Sequence, residues 1–388
     1  MDAIKEFFRD QAQYLRKEVW EVARQIGEHP ELGYKEYFAS EVLCDFLKKH
    51  GFEVKRGIAG VETAFLARFS GTSPGPRIAF MAEYDALPGV GHGCGHNLIG
   101  AASAGAAVIL SKSLEVAGEI LVIGSPAEET SGAKVTLVEQ GIFKDVDAAI
   151  MFHPGSQNVP VITSLALDAL EFTFHGRAAH SVAASNFGIN ALDAVINFFV
   201  GINALKKQIP HDMKVNGIIT EGGTAPNIIP DRAVAQFYIR ARKRKDLDAL
   251  RAQVIRCAEG AAAMVSAKMT WEKFEFSYDE MHTNLALAAC FSKNLKHMGV
   301  HQIASPQTAM GSVDMGNVSR AVPAIHPYLT LGTGTEVPHT RDFAQAALSP
   351  DGESLVVLAM LTLALTGWDV LSDKKLLQQM KREFLSVK

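Results

Sequence analysis

The sequence predicts an α/β protein with a mostly parallel sheet, interrupted by a smaller α+β domain of ferredoxin-like order. Three observations carry this expectation. The chain has 388 residues, 48% of them hydrophobic, which is long for one ordinary domain and ample for two cores. Up to about Phe152, short apolar runs alternate with helical patterns, as in strands joined by crossover helices. Near Leu165 the pattern changes to strand-helix-strand-strand-helix-strand, the order of a split βαβ sandwich, and after about His282 the α/β pattern returns.

Residues 2 to 27 read as a charged amphipathic helix, broken by His29-Pro30-Glu31-Leu32-Gly33. A second helix runs from about Tyr37 to His50 and stops at Gly51, a natural C-terminal cap. Apolar runs at Glu62 to Phe69, Arg77 to Met81, Ile120 to Gly124 and Ala148 to Phe152 read as strands, with helices at about Leu98 to Leu114 and Ala133 to Gln140. In the insert, Ala169 to His175, Lys214 to Thr220, Ala233 to Ala241 and Lys268 to Phe276 read as strands. Asn190 to Lys207 and Leu247 to Ser266 read as helices. Helical Leu285 to His297 then leads to Gly311-Ser312-Val313-Asp314, an apolar strand Val322 to Leu331 and two final helices. The expected domains are 1–166 with 283–388, and an insert at 167–282 of roughly 115 residues, a size that can fold alone.

The formal net charge of −4 is near balance and gives no footprint for nucleic acid. The basic run Arg240 to Lys245 reads as a solvated strand end and turn. Asp2, Lys5, Glu6, Arg9 and Asp10 leave no room for an apolar signal core at the N-terminus. The longest apolar stretch, Leu355 to Thr366, is short of the roughly 20 residues that span a bilayer. The expectation is a cytoplasmic protein with no membrane partner. Cys44, Cys94, Cys257 and Cys290 are scattered, and a chain of this size in a reducing compartment needs no disulfides. Cys44, Cys257 and Cys290 are expected in cores; Cys94 stands apart.

Cys94 belongs to the densest cluster, Ala82-Glu83-Tyr84-Asp85-Ala86-Leu87-Pro88 followed by Gly91-His92-Gly93-Cys94-Gly95-His96-Asn97. The first piece follows an apolar strand, at the edge where open α/β sheets bind ligands. Thiolate and imidazole two residues apart suit zinc or a neighbouring transition metal, although a tight turn with incidental donors has the same pattern. Glu128 and Glu129 follow another strand, where one carboxylate can hold a metal and the other serve as general base; acidic residues opening a helix read the same way. His153 follows a third strand, and His339 lies in a loop after Gly332-Thr333-Gly334. Donors at several strand ends, all expected on one edge of one sheet, point together to a metal site.

The motif order Asp85-Ala86-Leu87-Pro88, Gly-His-Gly-Cys-Gly-His-Asn, Pro-Ala-Glu-Glu, Gly-Arg-Ala-Ala-His and Gly-Gly-Thr-Ala-Pro-Asn-Ile-Ile-Pro resembles a metallopeptidase family. That family includes aminoacylase, hippurate hydrolase, carboxypeptidase G and plant auxin-conjugate amidohydrolases. Within it the chain is most similar to aminobenzoyl-glutamate hydrolase subunits and related dipeptidases, and the resemblance covers nearly its whole length. It implies a di-metal catalytic domain, a lid and dimerisation domain, and hydrolysis of an N-acyl amino acid, an aminobenzoyl-glutamate-like conjugate or a dipeptide. Two divalent ions per subunit, zinc or manganese, are implied. Cys94 matches the bridging ligand, His96 and His153 ligands of one metal, and Glu129 and His339 ligands of the other. Glu128 matches the catalytic base and Asp85 a carboxylate orienting a histidine ligand. His180 matches a lid histidine that enters the partner subunit's site, and Asn227 and Arg240 match groups that hold the substrate. A homodimer or higher oligomer through the lid follows from the same resemblance. Glu83 and Asn97 depart from it, since many relatives carry aspartate at both positions; the Asn97 form fits the aminobenzoyl-glutamate branch.

Two other readings compete. A binding or regulatory subunit of a hetero-oligomer would keep the fold without the chemistry, but here the base and all five ligand positions are present. A thiol or redox enzyme would use Cys94, but the sequence has no Cys-x-x-Cys pair.

Overall fold

In the computed structural model, which describes residues 2–113, 117–306 and 311–387, the first secondary structures follow the local signals. Helix α1 (Asp2–Glu28) ends just before Pro30, and α2 (Tyr37–Lys49) ends before Gly51, whose φ of +89° suits only a residue without Cβ. Strands β1 (Glu53–Arg56), β2 (Phe65–Ser70) and β3 (Ser73–Ala82) lead to α3 (His96–Ser111), β4 (Ala117–Gly124), α4 (Ala133–Glu139), β5 (Ala148–Ile150) and β6 (His153–Gly155). Leu114, assigned by pattern to the end of α3, lies outside the described residues.

The second region contains β7 (Ala166–His175), β8 (Ala179–His180), α5 (Ala191–Leu205), β9 (Lys214–Glu221), β10 (Ile228–Ile229), β11 (Arg232–Ala241), α6 (Arg244–Met264) and β12 (Lys268–Lys273). The chain closes with α7 (Leu285–His297), α8 (Met315–Ala321), β13 (Ala324–Ile325), β14 (Tyr328–Thr330), α9 (Arg341–Ala347), α10 (Pro350–Ser372) and α11 (Lys374–Val387). Two units result. The larger comprises Met1–Thr163, Met281–Ala309 and Val313–Lys388; the smaller comprises Ser164–Glu280 and Met310–Ser312.

The larger unit has a sheet of order β1-β2-β4-β3-β5-β13. Strands β4, β3, β5 and β13 run parallel, while β1 and β2 pair antiparallel at one edge. Ile78 to Ala82 of β3 are wholly buried, as central parallel strands covered on both faces must be. Helix α3 is buried along its entire length. Its small residues permit this: a Cβ on Gly105 would stand 2.6 Å from Met360 Sδ of α10. The apolar stretch Leu355 to Thr366 proves to be part of α10, a helix long and apolar enough to cross a membrane. Most of its apolar window is buried inside the unit, where it packs on α3 and α1.

Four expectations change. Val322 to Leu331 is not one strand: β13 pairs with β5, then His326 and Pro327 interrupt it before β14 pairs with β6. The strand expected at Ala148 to Phe152 breaks at the same level, since proline cannot donate to a ladder. Cys44 is buried, but Cys257 and Cys290 are only partly so, because both sit on helix faces turned partly outward. The Arg240 to Lys245 run is not all solvated: Arg244 opens α6 and pairs with the buried Asp168 at 2.9 Å.

The smaller unit is a four-stranded antiparallel sheet of order β12-β7-β11-β9, with α5 and α6 packed on it. Asn190 caps α5 by accepting from the Leu192 and Asp193 amides. Phe198 of α5 packs edge-on against Phe172 at 4.9 Å and beside Phe237 at 4.8 Å. Substituting Phe198→Ala empties the centre of this core. It is expected to cost about 3–5 kcal/mol, read as a lowered urea midpoint for the smaller unit with unfolding of the larger unit little changed.

Candidate metal centre

Strand β3 ends by delivering Glu83 and Asp85 to the carboxyl edge of the sheet, and both are buried. The chain then turns through glycines into α3, which opens on His96. Gly95 has a φ of +72°, and a Cβ there would stand 2.9 Å from the Pro154 ring. Gly93 lies against the backbone of His339, whose amide donates to the Gly93 carbonyl at 2.9 Å. These two glycines let the segments carrying His153 and His339 approach Cys94 and His96.

Asp85 ties the cluster together. Its Oδ1 lies 2.9 Å from His96 Nδ1, and its Oδ2 accepts the Glu129 amide at 2.9 Å. With Nδ1–H donated to Asp85, His96 turns Nε2 toward the other donors; burial opposes its charge, but Asp85 and Glu83 raise its pKa well above the usual range, so a cation would bind there by displacing the Nε2 proton. His153 is arranged the same way: its Nδ1 meets the Pro154 carbonyl at 2.6 Å. Burial and the neighbouring His96 press the His153 pKa down to about 4, so its ring is neutral at neutral pH.

Among the described residues, two groups of three donors have ligand atoms all within 4.8 Å of one another: Glu83, His96 and His153, and Cys94, His96 and Glu129. His96 belongs to both. Its Nε2 is buried without a hydrogen-bond partner, 3.6 Å from Glu83 Oε2 and 3.9 Å from Glu129 Oε1. Burial pushes the Cys94 thiol up, and Glu129 beside it pushes further. The side chains alone therefore keep the sulfur protonated, and a cation is what would make it a thiolate ligand. Orphaned buried donor atoms and a soft–hard donor set both fit bound metal.

Glu128 is partly buried next to this set. Burial, with the negative charges of Glu83, Asp314 and Glu129, raises its pKa well above the usual carboxylate range. His339 is the outlier. Its side chain is 64% exposed, with Nε2 4.0 Å from Glu129 Oε1, and it joins neither donor group.

In the smaller unit, β8 pairs with β10, so His180 lies opposite Ile228, and Ser181 donates to the carbonyl of Asn227 at 3.0 Å. His180 Nδ1 accepts from the Val182 and Ala183 amides, both at 3.2 Å, leaving Nε2 as the donor nitrogen of a neutral ring. Arg240 stands on β11 with its guanidinium 5.0 Å from the centre of the Tyr238 ring. Asn97 proves structural: it is buried and donates to the Ala23 carbonyl of α1 at 3.1 Å.

Sequence reasoning assigned no role to Lys134, Asp314 or Glu36. Lys134 is fully buried, with Nζ 2.7 Å from Glu83 Oε1 and 2.6 Å from Asp314 Oδ1. Glu36 accepts the Ala127 amide at 2.9 Å and the Thr63 hydroxyl at 3.0 Å. Ala127 has a φ of +62°, a left-handed conformation that a non-glycine residue holds only when pinned. That turn aims Glu128 and Glu129. The sequence signal was present in Glu31 to Glu36 after the helix break, but nothing local tied it to Ala127.

The structure is similar to a dinuclear metal-binding peptidase of the M20 family from Bacillus subtilis, with a TM-score of 0.70, 21% identity, and coverage of 91% of this chain and 98% of that one. Residues 166–263 match the peptidase dimerisation domain. Xaa-Arg dipeptidase from Mus musculus is 33% identical over 379 residues, covering 94% of this chain and 88% of the relative. The chain belongs to the M20 peptidase family. Similarity extends to a p-aminobenzoyl-glutamate hydrolase subunit of Escherichia coli (strain K12), 32% identical over 334 residues, covering 80% of this M20 chain and 68% of that relative. The protein is a metal-dependent hydrolase of amide bonds.

One consequence concerns pH. Burial raises the Glu36 pKa from 4.5 to about 7. A carboxyl with the higher pKa in the folded chain takes up a proton on folding, so its contribution is lost as pH rises through about 7. Between about pH 5 and about pH 8, the metal-free wild type should lose up to ~3 kcal/mol relative to Glu36→Gln. Urea unfolding of both proteins at the two pH values measures this; parallel profiles would show that Glu36 carries no such shift.

Proposed function

We propose that this hydrolase cleaves N-acyl amino acids, aminobenzoyl-glutamate-like conjugates or dipeptides. In this reading two divalent cations, zinc or manganese, are held by Cys94, His96, Glu129, His153 and His339. The observation that supports it most is that His96 joins two donor groups, one with Cys94 and Glu129 and one with His153 and Glu83, whose charges act on Glu128. The relatives' own activities, on dipeptides and on aminobenzoyl-glutamate, support a substrate with an amide bond next to a free carboxylate.

When bound, the metal pair supplies Lewis acidity toward the carbonyl and acidifies water. Glu128 takes the proton from the attacking water and returns it to the leaving nitrogen. In the metal-free protein burial and the charges of Glu83, Asp314 and Glu129 raise its proton affinity; bound cations would oppose that shift and leave the carboxylate free to accept the proton. Asp85 fixes the orientation of His96 and, through the Glu129 amide, of the following carboxylate. His180, with Nε2–H as donor, stabilises the oxyanion, and Asn227 and Arg240 hold the substrate's carboxylate or carbonyl.

Glu128→Gln is expected to keep the wild-type metal content while turnover falls roughly 10²–10⁴-fold. Cys94→Ala is expected to lower metal content. Elemental analysis beside a turnover assay on dipeptides and N-acyl amino acids checks both, with chelation and metal add-back as the parent control. Near-normal turnover by the Glu128 variant would remove Glu128 as the base.

A homodimer is supported by the exposed apolar faces of the smaller unit. On α5, Ile196 and Val200 are 47% and 61% exposed, one turn apart, and β9 ends its sheet as an edge strand. If His180 works in the partner's site, Val200→Glu should yield monomers with turnover near that of His180→Ala. Sedimentation and turnover measured on the same sample test it, and a fully active monomer would refute the cross-subunit role.

A further inference from the structure

We propose that Glu83 is a further ligand of the bound metal, with Oε2 facing the same cation as His96 Nε2. This rests on the metal-centre reading given above and extends it to a side chain that is assigned no part there.

The two oxygens of Glu83 have different fates. Oε1 is 2.7 Å from Lys134 Nζ, and Lys134 is also bound to Asp314. That buried ion-pair triad accounts fully for Oε1. Oε2 has no hydrogen-bond partner, although the side chain is 1% exposed. A buried carboxylate oxygen left unpaired is costly.

What Oε2 faces is equally unpaired. His96 Nε2 lies 3.6 Å away and has no hydrogen-bond partner. Because His96 Nδ1 is bound to Asp85, Nε2 is the ring nitrogen that faces Oε2. A proton between the two atoms gives only an ion pair, since the separation is too long for a hydrogen bond. A cation fits the gap: donors about 2.1 Å either side of a tetrahedral ion stand about 3.4 Å apart. His153 completes the group, with its ligand atom within 4.8 Å of the other two.

The backbone also holds Glu83 at this position. A Cβ on Gly100 of α3 would stand 2.9 Å from the Glu83 carbonyl oxygen, so only glycine lets the helix lie this close to the strand end. With Lys134 fixed on Oε1, Glu83 can offer the metal one oxygen.

The test uses the full-length wild-type protein loaded with manganese, crystallised, and its ions placed by anomalous scattering. The expected result is Glu83 Oε2 at about 2.0–2.2 Å from one ion. Both ions present with Oε2 beyond about 3 Å of each overturns the proposal. A protein that binds no cation at all would instead refute the underlying metal-centre reading. In solution, Glu83→Gln should bind one of the two cations at least about tenfold more weakly and leave the other unchanged. Two unchanged affinities overturn the proposal; if this variant does not fold, the wild-type crystal decides.

Discussion

A carboxylate taken out of water costs several kcal/mol unless positive charge stands beside it, and that cost shapes the whole catalytic unit. Glu83, Asp85 and Asp314 are buried, with Glu128 and Glu129 partly buried next to them. Lys134 sits among them and contacts two. It holds the Glu83 carboxyl below the usual range despite burial, while Asp314, sharing the same ammonium, is pushed up by burial and by Glu83. One lysine cannot satisfy this much negative charge. A divalent pair can, so metal binding and stability of the unit are coupled through the same side chains.

The local backbone follows from that demand. Ligands that come from distant parts of the chain must converge, and the loops carrying them must nearly touch. Gly93 and Gly95 provide the closeness on one side. On the other side Ala127, left-handed at φ +62°, is pinned by Glu36. Alanine in that conformation is disfavoured by about 1–2 kcal/mol, so the anchoring carboxyl does more than fill space. The buried acid, the strained residue and the two site glutamates form one connected element.

Much of this was legible in the chain, because metal donors leave compact signatures at strand ends. Cys94 and His96 in a glycine-rich turn, and the Glu128-Glu129 pair after an apolar run, point to a metal site from residue types, and the resemblance of the whole motif order makes it a hydrolase. The change of period near Leu165 shows the inserted sandwich. Illegible were the partners set by long-range packing. Lys134 looks like any helix lysine until β3 and α8 are brought around it, and Glu83 reads as a deviation from aspartate rather than as half of an ion pair. The break at His326-Pro327 was also missed: Val322 to Leu331 is largely apolar, and although Pro323 and Pro327 lie within it, only pairing with two different strands shows where it divides.

Three histidines, His96, His153 and His180, show how the fold sorts one residue type into different chemistry. In His96 and His153 the Nδ1 nitrogen is committed to an acceptor, Asp85 or the Pro154 carbonyl, so Nε2 is left as the nitrogen that can bind a cation. In His180 the Nδ1 nitrogen instead accepts two backbone amides, so Nε2 is left as a proton donor. The first arrangement suits a metal and the second a developing oxyanion. Neither depends on the ring itself. Each is imposed by whether a carbonyl or an amide of the surrounding backbone, or a carboxylate such as Asp85, meets Nδ1. A substitution that turned one of those backbone groups around would therefore exchange ligand for donor without altering a single site residue.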